Sequence, residues 1–126
     1  MDISIIHINE VKYSSSEALS ILSYFLADDI GPRKIDSLIN WLQDDKYESA
    51  VLNYSYIKKN HDKINIYCFH DGYKREESED RTKFETTKEE LVKIANKWEE
   101  LYHKYRYVKI LREGDTFILS GRDERS

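Results

Sequence analysis

Cysteine is almost missing from this chain, with Cys68 the only one in 126 residues. A lone thiol excludes an internal disulfide framework and fits a reducing compartment. Glycine is scarce as well, at four residues, which leaves little material for a loop that cradles phosphate. No such loop occurs, nor a GxSxG elbow, an HExxH pair or a paired-cysteine motif. No apolar run approaches the roughly 20 residues that a membrane helix needs. The segment Ile3 to Ile8 is too short, and too soon broken by Asn9 and Glu10, to be the core of a signal peptide. A cytoplasmic protein without membrane contact is the expectation.

What the chain does have is charge and tyrosine. Charged residues make up 35% and hydrophobic ones 40%, a balance that permits a real core beneath a well-solvated surface. The length suits one domain over residues 1–126. Net charge is −4, and it is unevenly spread. Up to Asp71 there are eleven acids against seven bases, and the remainder is neutral. An acidic N-terminal portion argues against nucleic acid as a partner and permits a basic protein partner. Nothing in the composition calls for a cofactor.

The clearest local signals lie between Phe84 and Gly121. Thr86 and Thr87 each precede a glutamate by three residues, Glu89 and Glu90, so either threonine can cap a helix starting near Lys88 while that glutamate bonds back to the cap. Leu91, Ile94, Ala95, Trp98, Leu101, Tyr102 and Tyr105 then recur at helical spacing, with Lys93, Lys97, Glu99, Glu100 and Lys104 mainly elsewhere. The runs YVKIL and TFILS flank REGD, in which Gly114 can take a positive φ, and so predict a hairpin. Val108, Ile110, Phe117 and Leu119 fall on one face of it, a floor for Trp98 and Leu101.

Towards the N-terminus, Ile3 to Ile8 reads as a strand and Tyr13 to Ser16 as a polar turn. Ser15 or Ser16 caps a helix with the stripe Ala18, Ile21, Leu22, Phe25 and Leu26, ending near Asp28 and Asp29. Gly31 breaks the chain, and Pro32 is placed in the first turn of a second helix carrying Ile35, Leu38, Ile39 and Leu42. Ser49 to Ile57 and Ile64 to Phe69 form a second hairpin about Asn60-His61-Asp62, and Asp71 to Lys83 is too charged for anything but an exposed loop. The expected fold is α+β. One antiparallel sheet of about five to six short strands packs on a long C-terminal helix and two shorter N-terminal helices.

Chemistry is harder to find. His103 has Glu99 and Glu100 within a helical turn, but two side-chain types on a charged helix make a surface pair before they make a metal site. No metal is expected. His70 and Asp71 stand at a strand end, with Cys68 on the same strand face as His70. A small enzyme or nucleotide-binding domain using these three residues is the alternative functional reading, against the simpler one of a core thiol on a strand that runs into a polar loop. Lys104 to Lys109 interleaves cations with aromatics as a single-strand groove does, yet a helix end meeting a strand produces the same pattern. The acidic loop residues Glu76, Glu77, Glu79 and Asp80 can dock Lys or Arg on a partner, with Tyr54, Tyr56, Tyr67 and Tyr73 as aromatic anchors.

The run FETTKEELVKIANKWEEL, then a strand, a Gly-Asp turn and a strand ending in Ser120-Gly121, resembles small bacterial immunity proteins. These are the antitoxins of polymorphic toxins and of contact-dependent growth inhibition systems. The resemblance covers about a third of the chain and is a scaffold pattern. It implies a role and transfers no functional residue: a non-catalytic monomer or homodimer that binds a cognate protein toxin and blocks it. A nuclease is the expected toxin, because its basic channel would attract Glu76, Glu77, Glu79 and Asp80, with Tyr73 beside them.

Overall fold

A computed structural model describes residues 1–44, 46–68 and 83–123. Its first strand, β1 (Asp2–His7), reverses through Ile8 and Asn9 into β2 (Glu10–Ser14), so that His7 faces Glu10 across a two-residue turn. A strand thus replaces part of the predicted polar turn. The turn lacks the glycine that normally announces a tight hairpin, and Ile8 itself takes a φ of 57°. A β-branched residue is strained in the left-handed region. Because Ile8 is exposed, little packing is lost on trimming it. Ile8→Gly should therefore stabilise the fold by about 0.5–1 kcal/mol. The measurement is a urea midpoint that rises at unchanged slope; a midpoint that falls would show that the turn holds no strain.

Helix α1 (Glu17–Tyr24) starts as the serine run suggests, with Ser16 Oγ accepting from the Leu19 amide at 3.2 Å. It does not stop at the aspartates. The chain widens into a π-helical turn over Phe25–Ile30, closed by the Gly31 amide on the Leu26 carbonyl at 2.7 Å. Gly31 then adopts φ 53°, ψ −131°, a combination open to glycine because a Cβ would crowd the Ala27 carbonyl at 3.3 Å. The Arg33 amide donates to the Ile30 carbonyl, so Gly31 and Pro32 form a reverse turn. Pro32 accordingly lies outside α2 (Asp36–Gln43) rather than in its first turn. The start of α2 is held from elsewhere in the chain. Glu99 Oε2 accepts from the Ile35 amide at 3.1 Å, which places a carboxylate at the positive end of that helix.

The next strands are β3 (Ser49–Val51), β4 (Ser55–Asn60), β5 (Lys63–Cys68) and β6 (Phe84–Thr87). The predicted strand over Ser49 to Ile57 is thus interrupted at residues 52–54, where the Leu52 amide bonds the Ser55 carbonyl and the Tyr54 amide bonds Asp29 Oδ1. Helix α3 (Lys88–Tyr102) follows, then β7 (Tyr107–Glu113) and β8 (Thr116–Arg122). Thr87 is the cap, accepting from the Glu90 amide at 3.1 Å. The Glu90 carboxylate instead accepts from the Phe117 amide of β8 at 3.1 Å, tying the helix to the sheet. Gly114, at φ 61°, and Asp115 make the β7–β8 turn, in which Glu113 faces Thr116.

The fold is α+β and antiparallel, but its described strands divide into two four-stranded sheets instead of one sheet of five to six. One has the order β2-β1-β7-β8 and the other β3-β4-β5-β6. Helices α1 and α3 each touch strands of both sheets. The sheets also meet directly where the Phe84 and Phe117 rings approach edge to face at 5.1 Å. Trp98 is fully buried in the same core as Val108, Ile110, Phe117 and Leu119, the residues of the predicted floor. Glu99, expected on the solvated face of α3, is half-buried because it serves α2. Tyr105 lies beyond the end of the helix and is exposed. No helix among the described residues is long and apolar enough to cross a membrane.

Candidate functional site

The break between β3 and β4 faces the π-helical turn, and α2 covers the gap. Phe25, Ile30, Ile35, Leu38, Ala50, Leu52 and Ile57 line the resulting cleft of about 380 Å³. That volume lies within the range of small-ligand sites, roughly 300–1,000 Å³. Arg33 and Lys34 stand exposed at its border, and Asp29 and Trp41 also line it.

Asp29 is the residue that organises this region. It is only 6% exposed. Its Oδ1 accepts from the Tyr54 amide at 2.9 Å, and its carbonyl accepts from Arg33 Nη1 at 2.9 Å. Its Oδ2 is shut off from solvent and has no hydrogen-bond partner. Trp41 Nε1 is likewise buried without an acceptor. An orphaned acceptor and an orphaned donor on the lining of one cleft are unusual, since buried polar groups normally find partners. The π-helical turn that carries Asp29 adds to this, because such turns recur at functional sites.

Trp41 is fixed from behind. Lys59 of β4 places its ammonium over the indole, 4.5 Å from the ring centroid, and donates to the carbonyls of Trp41 and Asp44. A cation at those carbonyls satisfies the free C-terminal end of α2. The segment from Gly31 to Ile35 is held from α3, by Trp98 Nε1 on the Gly31 carbonyl at 3.0 Å and by Glu99 on Ile35.

Comparison with protein families, curated proteins and solved structures finds no match for this chain. The site therefore has to be read from its own chemistry. The predicted interface residues Tyr73, Glu76, Glu77, Glu79 and Asp80 lie outside the described residues, as do His70 and Asp71. Cys68 ends β5, half-buried against the core. His103 is exposed with its ring against Tyr102, and no group of three or more metal-ligating side chains occurs among the described residues. Tyr56 and Tyr67, expected as interface anchors, are buried and stacked on each other across β4 and β5 at 5.8 Å. They are core residues, and Tyr54 alone of the described three is exposed.

Two tyrosines of the cation–aromatic run Lys104 to Lys109 make contacts within the fold. Tyr105 lies on Gly121, where a Cβ would come within 2.0 Å of the ring, and Tyr107 tilts against His7 at 4.7 Å. Sequence reasoning missed Asp29 as more than a helix stop and left Trp41 out of the α2 stripe. The available signal was a pair of acids, Asp28 and Asp29, in an otherwise apolar run, FLADDIG, just before a chain-breaking glycine.

Proposed function

We propose that this chain is a non-catalytic immunity protein, a cytoplasmic inhibitor that binds a cognate bacterial toxin of the nuclease class and blocks it. The observation that carries the reading is the surface around β3. This strand is the edge of its sheet, and Tyr47, Val51 and Tyr54 expose 55%, 55% and 38% of their surface around it. Aromatic anchors on an open strand edge beside an apolar cleft suit a protein partner.

The acidic loop supplies the second element. Glu76, Glu77, Glu79 and Asp80 steer a basic toxin to the complex, with Tyr73 packing beside them. Steering of this kind acts mostly on the association rate and fades with salt. The fold reading belongs to the same proposal: a long C-terminal helix and two shorter N-terminal helices frame the binding surface, as a monomer or a homodimer.

The direct test is co-expression with the protein encoded immediately upstream. Neutralised toxicity and a co-purifying complex are the expected results, and continued toxicity despite a folded, abundant chain would end the proposal. Reversing Glu76, Glu77, Glu79 and Asp80 to lysine should slow association at least about tenfold at low salt and flatten its salt dependence. Association kinetics that match the unaltered chain would remove this loop from the interface.

A further inference from the structure

Beyond any toxin contact, we infer that the cleft between the π-helical turn, α2 and the β3–β4 break binds a small zwitterion with an apolar body, in chemical terms a hydrophobic amino acid. The inference comes from the charge and polarity of the lining. Asp29 presents a buried carboxylate whose Oδ2 lacks a donor, and Trp41 presents a buried N–H that lacks an acceptor. A ligand that satisfies both has a donor and an acceptor of its own.

The border decides the charges. A plain amine would suit Asp29, but Arg33 and Lys34 also line the cleft and would repel it. A plain carboxylate would suit Arg33, Lys34 and the Trp41 N–H, but would face Asp29. One molecule carrying both an ammonium and a carboxylate meets every group with the opposite sign or the complementary bond. Apart from Ser37, the remaining wall, including Phe25, Leu38 and Ile57, is apolar and takes a branched or aromatic side chain by burial. Asp29 and Trp41 sit on separate helical elements, so the ligand bridges α2 to the π-helical turn.

Within the cleft lining, Asp29 Oδ2 and Trp41 Nε1 are both shut off from solvent. Filling the cleft therefore involves a small rotation of one of these side chains, which gives an optical signal. Trp41 is the reporting indole, since Trp98 is locked in the core by its bond to Gly31.

The experiment titrates the full chain with L-leucine and L-phenylalanine, followed by tryptophan fluorescence and by calorimetry. Isoamylamine, which lacks the carboxylate, and 4-methylpentanoate, which lacks the ammonium, are the comparison ligands. Saturable binding of an amino acid at millimolar or lower concentration is expected, with both comparison ligands weaker by about tenfold or more. Asp29→Asn should weaken the amino acid by a similar factor, and Leu38→Trp should abolish binding by filling the cleft.

Three results would overturn the inference: no saturable change with either amino acid, so that the cleft holds water only; equal binding of the amine or the acid; or undiminished affinity in a folded Asp29→Asn protein. Should Asp29→Asn fail to fold, the ligand series on the unaltered chain and the Leu38→Trp variant still decide the matter. Toxin neutralisation is read separately, so either result leaves the immunity reading standing or falling on its own assay.

Discussion

Trp98→Ala is expected to remove about 3–5 kcal/mol of stability, a large share of the roughly 5–15 kcal/mol that a domain possesses. The indole is fully buried. It belongs to the core that also holds the inward residues of β7 and β8, its Nε1 reaches the Gly31 carbonyl, and its ring centroid lies 5.4 Å from that of Tyr102. Alanine leaves a cavity too large for the surrounding strands to close. Trp98→Phe separates the two roles of the residue. Phenylalanine keeps most of the apolar contact but leaves the Gly31 carbonyl without its donor, at a cost of about 1–3 kcal/mol. Urea denaturation of the two variants measures both figures. The Phe variant should also loosen residues 31–35, seen as faster amide exchange there than in β7 and β8. If the alanine variant lost less than about 1 kcal/mol, Trp98 would not be the centre of the core.

The second large effect belongs to Lys59. Its side chain is nearly enclosed, and its ammonium holds the carbonyls of Trp41 and Asp44 while lying against the Trp41 ring. Lys59→Met preserves length and bulk but removes the charge and every donor. The Asp44 carbonyl then loses the ammonium, and the Trp41 carbonyl at the end of α2 keeps only the Asp44 amide. Charge-assisted bonds of this kind are worth more than neutral ones, so the expected loss is about 2–4 kcal/mol. Lys63→Met, at an exposed position of β5, is the control and should change stability by less than about 0.5 kcal/mol. Equal midpoints for the two variants would mean that Lys59 serves only as packing. A measured loss at Lys59 should come with a change in Trp41 emission, because the same ammonium fixes that indole.

The half of the fold that was legible in the sequence is the half held by local signals. A threonine cap, an amphipathic stripe and a glycine turn all lie within a few residues of what they organise, and α3, β7 and β8 appear where those signals place them. Elsewhere the deciding partners are remote. The β3–β4 break depends on the Tyr54 amide meeting Asp29, and the start of α2 depends on Glu99; no local pattern encodes either. Strand β2 was hidden because its turn uses Ile8 where a glycine would have announced it. The division into two sheets follows from β1 pairing with β7, a choice that alternation along β1 cannot specify.

The same holds for the candidate site. The FLADDIG run shows two acids among apolar residues, but that Asp29 rather than Asp28 is the buried one emerges only once α2 and residues 52–54 close around it. Trp41 was invisible for a related reason. Its ring faces the cleft and Lys59 instead of continuing the stripe of Leu38 and Leu42.

The pairing of β1 with β7 also sets an order of events on the ribosome. Ser49 to Thr87 contains every strand of one sheet, so that sheet can assemble while the chain is still emerging. The other cannot, because Asp2 finds Arg112 only after more than a hundred further residues have been made. Until then the N-terminal hairpin waits with the β1 edge open, a row of unpaired backbone groups that only β7 will cover.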